Sequence, residues 1–205
     1  MIHPHTELRW VDDRIGYGVF ATRAIPRGTI VWVRDSLDQT ISPKLVPTLP
    51  KLVRDMVAKY AYTDSRGDLL LCWDHSRFVN HSCAATCMSP GWEFEIAVRD
   101  LTPGDELTDE YATFSLDASF ECLCGQLACR RTVRPDDVLR YGEVWDRRTS
   151  EAFVDTPKVA QPLWSLVCEA AEVERAMRGE LEVPSVRIHV RDDCIARWQQ
   201  LAALG

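Results

Sequence analysis

Three thiols stand close together at Cys122, Cys124 and Cys129. A C-x-C-x4-C spacing supplies three soft donors, one short of the four that close a structural zinc site. The missing donor must come from elsewhere in the chain. An earlier polar cluster, Arg77-Phe78-Val79-Asn80-His81-Ser82-Cys83, offers Cys83, with Cys87 just beyond it and His81 and His75 as weaker alternatives. Thiolate donors without a histidine-rich set suit a structural ion rather than an open catalytic metal. Such an ion would clamp the late segment over the earlier loop. A third concentration of chemistry, Glu106-Leu107-Thr108-Asp109-Glu110-Tyr111, combines carboxylates with a phenol and would wall a pocket where the other two meet.

The chain around these spots has 205 residues, 46% hydrophobic and 27% charged, which suits one domain with an appendage, or one large domain. A formal net charge of −7 argues against general nucleic-acid binding. No apolar run approaches the roughly twenty residues of a membrane span. The start, Met1-Ile2-His3-Pro4-His5-Thr6-Glu7, lacks the layout of a secretory signal, so a soluble intracellular protein is expected. In that setting closely spaced cysteines are metal ligands more often than disulfides. The scattered Cys72, Cys168 and Cys194 read as small buried hydrophobes. Between Gly91 and Glu121, nine carboxylates (Glu93, Glu95, Asp100, Asp105, Glu106, Asp109, Glu110, Asp117, Glu121) face Arg99 alone. They read either as solvated strand faces or as an acidic surface that draws a basic peptide.

Several elements must position this chemistry. Gly16-Tyr17-Gly18 opens the ordered region and reads as a tight turn where backbone comes close to something. Thr29–Val33 is rich in β-branched and aromatic residues and reads as a strand. Leu49, Leu52, Val53, Met56, Val57 and Tyr60 recur at helical spacing, which predicts an amphipathic helix. Leu69–Trp73 reads as a buried strand, Glu93–Val98 as a half-buried alternating one, and Glu106–Thr108 as a short one. After Cys129 a helix opens at Arg134-Pro135-Asp136-Asp137, with Leu139 and Trp145 as apolar anchors. A longer helix is predicted from Pro162 to Arg178. A last one, capped by Asp192 or Asp193, carries Ile195, Trp198 and Leu201. Strands first and helices afterwards give an α+β class.

Gly16-Tyr17-Gly18, Asn80-His81-Ser82-Cys83, Glu106 to Tyr111 and the C-x-C-x4-C tail occur in the order found in SET-domain protein-lysine methyltransferases with a post-SET zinc site. From about Arg14 to Arg131 the chain resembles the compact form of that family. The resemblance implies an α+β, β-clip-like fold of several small sheets with a pseudoknot, followed by a helical C-terminal extension. Residues 1–118 would be the SET domain, with a helical insert at about 42–66. Residues 119–132 would be the post-SET segment and 133–205 the extension. The backbone of Gly16, Tyr17 and Gly18 would cradle the methionine part of S-adenosylmethionine. Asn80 and His81 would bind its amino and adenine ends, and Leu123 would close over the adenine. Tyr111 would be the catalytic tyrosine beside the cofactor. Cys83 would complete a single Zn²⁺ site with Cys122, Cys124 and Cys129. Tyr60, Tyr62, Asp109 and Phe114 would line the channel of the substrate lysine, with Tyr17 a further candidate.

The implied reaction moves a methyl group from S-adenosylmethionine to a lysine of a histone or another basic protein. The lysine must be neutral to attack, although its free pKa is about 10.4. An apolar channel disfavours the ammonium, and water can take the proton before closure, so no strong internal base is expected. Two departures stand out. Asp109 occupies a position where much of the family has Phe or Tyr, and Ala85 and Thr86 replace a proline and an asparagine, which would weaken the loop's hydrogen bonding. They motivate an alternative, a zinc-containing interaction module that has lost catalysis. Expected partners are basic proteins or peptides, not nucleic acid or membrane, and the C-terminal helices would either pack on the catalytic unit or form a homodimer contact. The location would be cytoplasmic in a bacterium, and nuclear or chromatin-associated in a eukaryote or after delivery into a host. Cys87 has no assigned role unless it competes with Cys83.

Overall fold

The structure, a computed structural model, describes residues 1–203. In chain order the strands are β1 (Thr6–Asp12), β2 (Gly16–Ala21), β3 (Ile30–Val33), β4 (Gln39–Ile41), β5 (Tyr62–Thr63), β6 (Leu69–Leu71), β7 (Asn80–His81), β8 (Cys87–Met88), β9 (Phe94–Ala97), β10 (Glu106–Asp109), β11 (Phe120–Glu121) and β12 (Thr132–Val133). The helix α1 (Lys51–Tyr60) precedes β5, and α2 (Asp137–Phe153), α3 (Ala170–Met177) and α4 (Asp192–Ala202) follow the strands. The class is mixed α+β, with several small sheets first and helices at the C-terminal end.

The sheet that positions the chemistry runs β1-β2-β10-β7. β1, which the sequence reading passed over, forms a hairpin with β2. Asp12 Oδ1 turns the corner by accepting from the backbone N–H groups of Arg14 and Ile15, both at 2.8 Å. Gly16, with φ +87°, leaves that turn, so Gly16-Tyr17-Gly18 lies along a strand rather than in the turn. β10 pairs antiparallel with β2 and parallel with β7, Thr108 beside Asn80 and Asp109 beside His81. The chain then continues along β10: Ser82 N–H donates to Asp109 O and Thr86 N–H to Thr108 O, both at 2.9 Å. Thr86 does not weaken this loop. Its hydroxyl accepts from Thr108 N–H at 2.8 Å and donates to Glu106 O at 3.0 Å.

The second sheet, β3-β9-β8, is covered on both faces. Ile30, Val33, Phe94 and Ile96 pack against Ala152, Phe153, Leu163, Val167 and Val173 of the C-terminal region. Val31, Trp32 and Ala97 belong to the other core, with Val19, Leu70 and Leu107. The C-terminal residues thus share a core with this sheet. Gln161 strengthens the join, donating to Gly28 O at 2.9 Å and accepting from Ile30 N–H at 2.8 Å. A third sheet, β4-β6-β5, lies beside α1, and β11 pairs with β12.

Several sequence expectations change here. The helix at 51–60 exists, but Leu52, Val53 and Met56 are exposed and only Val57 is buried, because α1 sits at the molecular edge. Trp73 is exposed, its indole N–H reaching Asp35 at 3.1 Å. The helix predicted over 162–178 is a short 3-10 turn at Trp164–Leu166 followed by α3. Val167 between them is extended because its side chain plugs into the core, and packing overrides the helical period there. Cys168, on the same bend, is exposed, whereas Cys72 and Cys194 are buried as expected. The buried face of α2 runs through Val138, Trp145, Thr149 and Ala152, a phase that leaves Leu139 outside. Arg191 holds the N-cap position of α4, with Asp192 and Asp193 in its first turn. Ile195 is buried, Trp198 half-buried and Leu201 exposed.

Candidate active site

The ligand atoms of Cys83, Cys122, Cys124 and Cys129 all lie within 4.8 Å of one another. The Sγ atoms of Cys83 and Cys122 are 3.7 Å apart. A tetrahedron with Zn–S bonds near 2.3 Å has an edge of about 3.8 Å, so the spacing suits one zinc ion. Backbone N–H groups face two of the sulfurs, from Arg130 to Cys83 at 3.4 Å and from Arg131 to Cys129 at 3.3 Å. Arg131 takes a left-handed φ of +65° beside that second contact. Cys87 is remote from the group, fully buried in the core beside Thr86. His75 is engaged by the Thr6 hydroxyl at 2.9 Å.

His81 connects this cluster to the phenol-bearing turn. Its Nδ1 accepts from Tyr111 N–H at 3.2 Å, and its Nε2 lies 3.6 Å from Cys83 Sγ. An acceptor Nδ1 fixes the tautomer with the proton on Nε2, aimed at the sulfur. Burial first, and then the Arg130 charge, hold its pKa at about 4, so the ring is neutral. Arg130 itself forks onto both oxygens of Glu110 at 2.7 and 2.8 Å and reaches Asp137 at 3.2 Å. Strand β10, the cysteine tail and α2 are thereby tied at one guanidinium.

Two cavities flank Tyr111. One, of about 720 Å³, is bordered by Arg14, Ile15, Asn80, His81, Glu106, Thr108, Tyr111, Phe120 and Leu123 among others. The other, of about 570 Å³, is bordered by Trp32, Tyr60, Tyr62, Glu95, Asp109, Tyr111, Phe114 and Phe120 among others. Strand alternation on β10 divides them: Glu106 and Thr108 face the first and Asp109 the second. Tyr111 borders both. Its hydroxyl donates to Val79 O at 2.6 Å, and burial, with Asp109, Glu95 and Glu106 nearby, raises its pKa, so the phenol stays neutral.

In the first cavity Asn80 Nδ2 donates to Glu106 Oε1 at 2.8 Å and to Tyr17 O at 3.1 Å. Any Cβ at Gly18 would run into that Glu106 carboxylate, so the glycine permits this close approach. Gly16, Tyr17 and Gly18 do not border the cavity themselves; Asn80 and Glu106 lie against Gly18, and Tyr17 is exposed against Trp10 and Phe78. A space of this size, with a half-buried carboxylate, arginines and an aromatic edge, fits a nucleoside-bearing cofactor such as S-adenosylmethionine.

The second cavity gathers all four proposed channel residues. Tyr62 and Phe114 stack at 4.7 Å between ring centroids, and Tyr60 meets Phe78 edge-on at 5.1 Å. The unforeseen member is Glu95. The alternation of Glu93–Val98 predicts a half-buried strand with its carboxylates toward solvent or a basic peptide, yet Glu95 is 7% exposed and Asp109 only 3%. Burial raises the pKa of both, and the neighbouring Asp109 raises that of Glu95 further. The acidic run is split: Glu95, Asp109 and Glu110 are buried and Glu106 lies in the first cavity, whereas Asp100, Asp117 and Glu121 are exposed. The cross-strand partner of Glu95 is Trp32, a signal that one face of that strand looks inward.

Residues 16–112 match the family model described as SET domain. A Plasmodium falciparum protein, the variant-silencing SET domain-containing protein, is 30% identical over 137 residues, which are 57% of this chain and 5% of that protein. The histone-lysine N-methyltransferase ASHH3 of Arabidopsis thaliana is 27% identical over 123 residues, 55% of this chain and 31% of that protein. The chain thus spans less than a third of either relative's length. No helix among the described residues is long and apolar enough to cross a membrane.

Proposed function

The chain is a SET-domain protein whose four-cysteine cluster fits a post-SET zinc site, and from that premise we propose that it is an S-adenosylmethionine-dependent protein-lysine N-methyltransferase. The observation that carries this reading is the Tyr111 phenol in the wall common to a cofactor-sized cavity and an aromatic one. S-adenosylmethionine, when bound, supplies a methyl group activated by its sulfonium charge. Asn80, His81, Glu106 and Leu123 would hold it, and Arg14 and Ile15 would close one side. Tyr60, Tyr62, Phe114 and Tyr111 exclude water from the lysine side chain, which disfavours its ammonium form. The Tyr111 hydroxyl, anchored on Val79 O, orients the amine lone pair, so the main contribution of the protein is alignment. Zinc on Cys83, Cys122, Cys124 and Cys129 would tether the tail that carries Leu123 and take no part in the reaction.

The relatives' names point to histones among basic proteins, and action there would place the protein on chromatin. The test is transfer of a labelled methyl group from S-adenosylmethionine to a panel of basic proteins that includes core histones, with the modified residue read by mass spectrometry. Tyr111→Phe should cut transfer by about a hundredfold or more while the melting temperature holds. Undiminished transfer in that variant would count against the reading. An interaction module without catalysis would show no saturable heat when titrated with the cofactor.

A further inference from the structure

We propose that the Glu95–Asp109 carboxyl pair is the proton acceptor for the substrate amine. The inference rests on the methyltransferase reading and adds to it the internal base that the sequence did not lead us to expect. Three observations carry it. Both side chains are more than nine-tenths buried, yet both border the cavity that Tyr111 and the stacked Tyr62 and Phe114 enclose. Asp109 Oδ1 is fixed by the backbone N–H of Glu110 at 2.6 Å, which sets the orientation of its carboxyl group. Among the described residues no ion pair reaches either carboxylate, and Arg34, the cation that follows the neighbouring strand β3, is taken up by Asp64 and Glu93. Buried acids without a cation of their own leave room for a cation that arrives.

The groups packed around the pair do not supply that cation. Cys87 of β8, Cys72, Tyr62 of β5 and Tyr111 face it, and burial raises the pKa of each, so all four are neutral at neutral pH. Glu110 is committed to Arg130, and Arg34 to Asp64 and Glu93. Lys59, Arg77 and Asp117 border the same cavity without pairing with either acid. Two carboxyl groups in contact share one proton, because both cannot ionise together at low dielectric. The Glu110 N–H on Oδ1 favours the ionised form of Asp109, and burial together with the Asp109 charge raises the pKa of Glu95, so Glu95 keeps the proton and Asp109 carries the charge.

A lysine ammonium entering this space meets one negative charge beside a neutral acid. Proton transfer breaks one N–H bond and forms one O–H bond on Asp109, leaving the electron pair on nitrogen. An ion pair becomes two neutral groups, which a dry site favours. The pair returns its extra proton to solvent as product leaves, so one proton is released for each methyl group transferred. An aromatic residue at position 109 could not accept it.

The experiment is the pH profile of kcat/KM with labelled donor and whichever protein of the basic panel the wild type labels most strongly. Without an internal base only neutral lysine reacts, and kcat/KM climbs about tenfold per pH unit toward lysine's pKa of about 10.4. With Asp109 as acceptor the wild-type profile is flat between about pH 7 and 9, and Asp109→Asn climbs about a hundredfold over the same span. A purely structural role for Asp109 would lower every point and leave the slope unchanged, which would overturn the inference. The wild-type slope tests it even where the variant fails to fold, since a climb of tenfold per unit in the wild type overturns it directly. In that case transfer still occurs and the methyltransferase reading stands; absence of transfer at every pH would overturn both. Independently of turnover, the infrared spectrum at neutral pH should show a protonated-carboxyl stretch that Glu95→Gln removes; its absence from the wild type would also overturn the inference.

Discussion

Replacing Arg130 with methionine should reveal how far the fold depends on one guanidinium. The Arg130 side chain is 12% exposed, and the carboxylates of Glu110 and Asp137 that it serves are each 2% exposed. Methionine keeps the apolar stem against Tyr141 and Trp145, whose rings lie 5.3 and 5.5 Å from the guanidinium carbon, so packing loss is small. What remains is two buried acids without a cation. Removing one member of a buried pair costs about 3–5 kcal/mol. For a chain of this size each kcal/mol is worth about 2–4 °C, so the melting temperature should fall by about 6–20 °C. The sign of its pH dependence separates charge from packing. Burial already raises the Glu110 pKa to about 7 with Arg130 in place, and losing the guanidinium raises it further, so the deficit is largest above neutral pH, at about 8, and shrinks as pH falls toward about 5. Thermal melts of zinc-loaded wild type and Arg130→Met at both pH values test this. An unchanged melting temperature, or an equal deficit at both, would refute the argument.

Three further outcomes follow from the geometry. Cys83→Ser removes one sulfur from the cluster, and elemental analysis should show bound zinc falling well below one ion per chain, whereas Cys87→Ser leaves it unchanged. Gly18→Ala puts a methyl group into Glu106 and should weaken cofactor binding about tenfold or more by calorimetry with the fold retained. His3 is held near pKa 4 by burial and by the neighbouring His5. The unfolded chain, with an ordinary imidazole pKa of 6.5, therefore binds a proton first, and stability is full above that pH and declines as pH falls toward about 4. His3→Asn, which can still accept from His5 N–H, should flatten that decline in urea midpoints.

Much of the site was legible because its residue types are rare and their spacing is dictated by coordination or by close backbone approach. Four cysteines and one phenol fall where the motifs put them. Glu95 was not legible for a definite reason. The alternation of Glu93–Val98 is real, with Phe94 and Ile96 facing the C-terminal region, but its polar side looks into a cavity. Period 2 tells which residues share a face and says nothing about what that face meets. The exposed stripe of α1 failed in the opposite direction, being helical in period yet left uncovered. Cys168 and Leu139 were misplaced because the phase of an element against its neighbours is a tertiary property. For the C-terminal helices the residues leave two readings open, packing on the rest of the chain or on a second copy, because only contact across long sequence separation decides between them.

The division of β10 between two chambers restricts how this protein can diverge. Glu106 and Thr108 face one cavity and Asp109 the other by parity, so inserting or deleting one residue there would send the side chains beyond it into the opposite compartment. Lengthening can be absorbed upstream, in the exposed bend at Thr102–Gly104, but not within the partition. A change in what the second cavity admits must then arise by point replacement at position 109, leaving the even-numbered positions to border the first.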